Sequence, residues 1–157
     1  MKLEYRELER EDLPALKNCL LGLAEHHNRV SPHFGGVFPR SEPDGTLERF
    51  RQELEEGGSR FRGCFQNGRV VGFCKVDVQG QDGCIHYLYV EPTFRGQGIG
   101  GRLMDWAMET FRERGARRLE VKVIWGNGAA GLYEKYGFRP AAQILWRVEE
   151  EKSGEEC

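Results

Sequence analysis

Residues 85–101 read Ile85-His86-Tyr87-Leu88-Tyr89-Val90, then Glu91-Pro92-Thr93-Phe94, then Arg95-Gly96-Gln97-Gly98-Ile99-Gly100-Gly101. The first six are aromatic or β-branched in the main, with no Gly or Pro, which predicts a strand. The next four predict a turn, and the last seven a glycine-rich loop that opens a helix. Ile99, Leu103, Ala107 and Phe111 recur at i, i+4 and give that helix one apolar face. Gly115 stops it. Glycines let backbone N–H groups converge on a ligand, and a helix N-terminus adds roughly half a positive charge. Arg95 adds a full one. The stretch predicts an anion site, and the expected ligand is a pyrophosphate.

The loop lacks the Gly-Lys-Ser/Thr of a Walker A loop. A dinucleotide-binding fold would place it after the first strand of a parallel series. Here it follows a predicted antiparallel run. The stretch resembles the acetyl-CoA loop of the GNAT superfamily of N-acetyltransferases. That pattern is Arg or Gln, two residues, Gly, one residue, then Gly or Ala. Arg95, Gly98 and Gly100 match it, and Leu88, Val90 and Pro92 supply the Leu-x-Val-x-Pro that precedes it. A second segment, Asn127-x-x-Ala130 followed by Gly137-Phe138, resembles the family's lining of the pantetheine and acetyl end.

The rest of the chain is consistent with one domain over residues 1–148 and an acidic tail over 149–157. At 157 residues there is enough chain for a real core. A net charge of −2, with 31% charged residues, argues against a nucleic-acid surface. No apolar run approaches ~20 residues, so no membrane span is expected. The five cysteines form no Cys-x-x-Cys pair and read as small hydrophobes in a reducing cytoplasm. No metal site is expected, since His26, His27 and His33 lack zinc-ligand spacing.

Taken in order, Lys2 to Leu8 predicts a strand. Glu11-Asp12 predicts the cap of a helix with Pro14 in its first turn and Leu13, Leu16, Leu20, Leu23 and His27 on its buried side. His26 to Gly45 is irregular. Thr46 is expected to cap a second helix carrying Leu47, Phe50 and Leu54, closed by Gly57-Gly58. A meander follows, turning at Asn67-Gly68. After the loop and its helix come a strand at Arg118 to Val123, a helix at Asn127 to Tyr136, and a last strand at Phe138 to Val148. The order β-α-α-β-β-β-α-β-α-β predicts an α/β fold, a mixed and mostly antiparallel sheet flanked by helices. The late strand, near a sheet edge, suggests a homodimer.

The resemblance implies an acetyl-CoA-dependent N-acetyltransferase acting on a small-molecule or peptide amine. The alternative is a non-catalytic acyl-CoA-binding module of the same fold. It implies that Leu88, Tyr89 and Val90 pair with pantetheine, and that Arg95, Gly96, Gln97, Gly98, Ile99, Gly100 and Gly101 hold the pyrophosphate. Asn127 is either a helix cap or a pantetheine ligand, or both, with Ala130 beside it. Tyr133 stands where the family has the tyrosine that hydrogen-bonds the departing sulfur; its other reading is a core tyrosine. The family often has a glutamate base on the central strand, and this strand has none. His86 is its one imidazole, either a structural strand histidine or a base acting through water. Glu25, Glu42 and Asp44 are candidates to attract a cationic amine.

Overall fold

The computed structural model describes residues 2–149. Five strands form one sheet in the order of the chain: β1 (Glu4–Glu7), β2 (Ser59–Gln66), β3 (Arg69–Gln79), β4 (Asp82–Val90) and β5 (Arg118–Val121). The first four are antiparallel, and β5 joins β4 in parallel. The parallel step needs a crossover, which α3 (Ile99–Arg114) supplies. α1 (Lys17–Val30) and α2 (Pro43–Glu56) precede the meander, and α4 (Ala130–Lys135) follows β5.

The alternation of β3 divides the core. Cys74 and Val76 face the α3 side, where Leu103, Met104, Ala107 and Phe111 are buried. Phe73 faces the other side, against Leu16, Leu20 and Phe50. Each such fully buried large side chain contributes about 1.5–3 kcal/mol. β4 carries one extra residue: Val76 pairs with Ile85 and Lys75 with Tyr87, so His86 is bulged out of the ladder. A bulge breaks strict alternation and brings two successive side chains toward one face. The rings of His86 and Tyr87 accordingly lie 4.7 Å apart.

Several boundaries differ from the sequence expectation. The first helical region begins as a 3-10 segment, Arg10–Leu16, with Glu9 and Asp12 forming a reciprocal capping box. α2 begins at Pro43, because a proline preset for helical φ starts the helix earlier than Thr46. β5 stops at Val121, and α4 begins at Ala130. Phe138 to Val148 forms no strand. Pro140 removes a ladder donor near its start. Trp146 packs instead on Phe34 and Phe38 of the α1–α2 loop, at 5.4 and 5.7 Å. The edge-strand argument for a dimer therefore loses its strand. The tail over residues 150–157, including Cys157, lies outside the described residues.

Candidate active site

β4 and β5 pair only from Asp82–Arg118 to Ile85–Val121. Beyond that point β4 has no neighbour on its β5 side, and the two chains diverge into a wedge. A cavity of about 600 Å³ fills the wedge. It is lined by β4 from Cys84 to Val90, by Val121 to Ile124, by the glycine loop and by the start of α4. Unpaired strand backbone can hydrogen-bond an extended amide-bearing ligand edge-on.

At one end of the cavity Gly96 and Gly98 adopt φ of 81° and 83°, a left-handed conformation that L side chains rarely adopt. Gly98 is the N-cap of α3 and offers no side-chain cap. The first N–H groups of the helix therefore have no intrahelical acceptor, which suits an anion. Gly96, Gly98, Ile99 and Gly100 line the cavity; Gln97 and Gly101 do not. Arg95 lines it too, and its Nε donates to Val90 O at 2.9 Å. Arg95 thus ties the loop to the strand end as well as supplying charge.

His86 lines the middle of the cavity. Behind it lies a polar cluster that sequence reading missed. Lys75 is fully buried and sits 2.6 Å from Asp77 Oδ1, 3.2 Å from Glu53 Oε1 and 3.0 Å from His86 Nδ1. Asp77 Oδ2 lies 3.2 Å from the same His86 nitrogen, and Ser59 Oγ donates to Asp77 Oδ1 at 2.5 Å. Burial by itself would raise the Asp77 carboxyl. The hydrogen bonds from His86, Lys75 and Ser59 more than reverse this and hold it well below the usual carboxylate range. The available signal was a charged pair, Lys75 and Asp77, sharing one face of an otherwise apolar strand.

Tyr133 is buried with 8% exposure and borders the cavity, its ring edge-on to Phe138 at 6.2 Å. Burial raises its pKa, with the nearby Cys74 adding to the shift, so the phenol stays protonated and can donate. Its hydroxyl has no hydrogen-bond partner among the described residues. Tyr136 was also missed as a positioning group. Its hydroxyl donates to Asp105 Oδ1 at 2.7 Å and reaches Gly101 O at 3.1 Å, locking α4 onto the loop-bearing helix.

Asn127 is not the N-cap of α4. Its Oδ1 accepts from Ala129 N at 3.1 Å, an Asx-type turn before the helix, and lies 3.5 Å from His26 Nε2. Ala130 does not line the cavity; Ala129 does. His26 Nδ1 is buried without a partner. Glu25, Glu42 and Asp44 lie off the cavity wall, Glu25 paired with Arg29 and Asp44 with Lys17.

Residues 24–138 match the Acetyltransferase (GNAT) family. The chain belongs to that family. A relative in Bacillus subtilis (strain 168), provisionally named as an alanine N-acetyltransferase of ribosomal protein bS18, is 32% identical over 97 residues. That alignment covers 60% of this chain and 64% of the relative. An uncharacterized N-acetyltransferase of Methanocaldococcus jannaschii, MJ1207, is 33% identical over 97 residues, 57% of this chain and 43% of its own length. The alignments thus span less than two thirds of these curated relatives. Among solved structures, the PaiA N-acetyltransferase of Thermoplasma acidophilum, in complex with coenzyme A, aligns with a TM-score of 0.76 at 19% identity. It covers 92% of this chain and 94% of that one, and shares the GNAT fold: a mixed sheet flanked by helices.

Proposed function

We propose that this GNAT protein transfers an acetyl group from acetyl-CoA to a primary amine by direct attack. The observation that carries the reading is the wedge opening beyond Ile85 and Val121, which joins the glycine loop to His86 in one cavity. The residues fit the cosubstrate. The N–H groups at the start of α3, with Arg95, suit the pyrophosphate. The β5-free edge of β4 over Leu88, Tyr89 and Val90 suits the pantetheine amides, the Val90 carbonyl being already held by Arg95 Nε. The orphaned acceptor His26 Nδ1 would be satisfied by a pantetheine N–H.

His86 takes a proton from the ammonium, directly or through water, and the freed amine attacks the thioester carbonyl. For a lysine-like amine that deprotonation costs ~4–5 kcal/mol at pH 7. A C–N bond forms and the C–S bond breaks. Tyr133 donates a hydrogen bond to the leaving sulfur. A raised phenol pKa favours stabilising the thiolate over handing it the whole proton.

The acceptor is a small-molecule or peptide amine; the relative named for an alanine acceptor on bS18 supports the peptide arm. We place the protein in the cytoplasm, in keeping with free Cys19, Cys64, Cys74 and Cys84. A second copy of the chain would cover the exposed Ile144, Leu145 and Val148, and light scattering against concentration tests that pairing. No helix of the described residues is long and apolar enough to cross a membrane.

The test of the transferase reading is release of free CoA from acetyl-CoA with a panel of amines. CoA binding without release would leave a non-catalytic acyl-CoA-binding module.

A further inference from the structure

Besides β4 and the glycine loop, the cavity is lined by α1, the α1–α2 loop and Trp146. Its surface is largely apolar, with Leu20, Leu23, Phe38 and Tyr87 among the lining residues. The ionisable side chains on the cavity wall are Arg40, Arg95, Lys122, His26, His27 and His86, together with phenols and Cys84. No Asp or Glu lines it among the described residues. Burial lowers the pKa of both His26 and His27, to about 4 for His27, so these two carry no charge at neutral pH. The fixed charge of the wall is positive.

Arg40 is the cation that the α1–α2 loop brings to the cavity wall. Its guanidinium lies 4.2 Å over the ring of Trp146, and it forms no ion pair among the described residues. Stacking engages the flat face of a guanidinium and leaves its N–H edge free. That edge matches a carboxylate with two parallel hydrogen bonds. Glu25 and Asp44, next in the chain to lining residues, are paired with Arg29 and Lys17 and do not line the cavity. Glu53, Glu56, Asp77, Asp82 and Glu120 line a second depression toward the start of β4. Glu53 and Asp77 reach the wedge only from behind His86, where both are paired with Lys75.

We propose that the acceptor is a small amine that also carries a carboxylate and an apolar group, as an apolar α-amino acid does, with Arg40 reading the carboxylate and Phe38, Leu20 and Leu23 receiving the apolar group. This rests on the transferase reading above. A polyamine or aminoglycoside brings several ammonium groups into a wall with no carboxylate to meet them, and like charges in a partly desolvated cavity repel. Attack forms the amide N–C bond, breaks the C–S bond and releases CoA as its thiol. The ammonium loses one proton to the base side of the site before attack. The nitrogen sheds a second as the amide forms, and that proton ends on the leaving sulfur, while the carboxylate is unchanged.

The experiment compares phenylalanine, phenylalaninamide and spermidine as acceptors at saturating acetyl-CoA, with the full chain and with Arg40→Gln. The expected result is a kcat/KM for phenylalanine at least tenfold above that for the amide. Arg40→Gln should raise KM for phenylalanine tenfold or more and leave kcat, the amide rate and CoA affinity unchanged. Equal or better use of the amide or of spermidine overturns the proposal. So does a loss of CoA affinity in Arg40→Gln, which would assign the arginine to the cosubstrate. Calorimetry of the CoA-bound protein with N-acetylphenylalanine and its amide gives a readout without turnover. Tighter binding of the carboxylate that Arg40→Gln abolishes, with no amine turned over, would sink the transferase reading and uphold the anion site. Equal binding of the two would sink the acceptor class.

Discussion

His86 Nδ1 lies 3.2 Å from Asp77 Oδ2 and 3.0 Å from Lys75 Nζ, and one nitrogen cannot satisfy both. If Nδ1 carries the proton it donates to Asp77, and Nε2 is left with the lone pair a base needs. If Nδ1 is bare it accepts from Lys75, and Nε2 holds a proton. Asp77 and Lys75 therefore compete to set the tautomer. His86→Gln should lower kcat by roughly 100-fold with CoA affinity unchanged, the usual size for losing a general base. Asp77→Asn keeps the shape, weakens the pull on the Nδ1 proton, and should lower kcat by a smaller factor. A wild-type kcat in His86→Gln would return His86 to a structural role.

Gly98 links the strand-turn to α3 at φ 83°, and a Cβ there meets no neighbour within 4 Å. Space is therefore not the constraint at this position. Backbone conformation is, at about 1–2 kcal/mol for a residue with a Cβ. Gly98→Ala should lower the melting temperature by a few degrees and weaken CoA modestly. Gly98→Glu adds a negative charge beside the expected pyrophosphate and should weaken CoA by 100-fold or more. The comparison is a CoA titration of both variants alongside thermal melts. CoA affinity retained in Gly98→Glu would mean the phosphates bind elsewhere.

Gly83 makes the opposite case. A Cβ at that position would fall 2.7 Å from two ring carbons of Phe111. The side chain of Phe111 is itself fully buried under α3, so it has little room to give. Gly83→Ala should destabilise by about 1–3 kcal/mol, the typical range for overpacking a core. Urea unfolding of the variant measures it, and an unchanged midpoint would show that α3 can slide on the sheet.

The glycine loop and the meander were legible because their signals are local. Asn67 and Gly68 both take positive φ, as a tight two-residue hairpin demands. Gly96, Gly98 and Gly101 also stand at Gly-x-Gly-x-x-Gly spacing, so glycines alone do not separate this loop from a dinucleotide fingerprint. The antiparallel run before β4 does that. The Lys75–Asp77–His86 cluster was not legible, because it depends on the bulge at His86, and a bulge is a cross-strand register event. The segment after Phe138 alternates as a strand would, yet alternation cannot say whether a partner edge is available. Trp146 finds Phe34 and Phe38 across more than a hundred residues of chain.

His27 carries an acid-stability prediction. Its imidazole is held down to about 4, chiefly by burial, against an ordinary 6.5. The folded state thus binds a proton less readily than the unfolded chain. Its contribution is fully present above pH 6.5 and is lost as pH falls toward 4, because the unfolded state takes up the proton first. The full effect is at most about 3 kcal/mol. His27→Gln should flatten the rise of stability with pH between 4 and 6.5, read from urea unfolding at several pH values. An unchanged slope in that window would mean that His27 is better solvated than its contact with Phe38, at 5.1 Å, implies.

Tyr133 separates a packing role from a chemical one. Its ring is buried among Cys74, Leu103 and Phe138 on the α3 side of the sheet, while its hydroxyl has no protein partner among the described residues. Tyr133→Phe removes one oxygen and keeps the ring, so no folded-state hydrogen bond is lost and stability should change by less than about 1 kcal/mol. A structural tyrosine predicts nothing further. A tyrosine that donates to the leaving sulfur predicts a fall in kcat, because charge develops on that sulfur only as the thioester breaks. The expected loss is ~100-fold with CoA affinity unchanged, since the phosphates and amides are held by other groups. The burial-raised pKa adds a second reading: the phenol stays protonated through the neutral range, so titration of Tyr133 should not bend the activity profile there. Steady-state kinetics of the Phe variant from pH 6 to 9, at saturating acetyl-CoA with an accepted amine, give both answers. A wild-type kcat across that range would assign Tyr133 to the core alone.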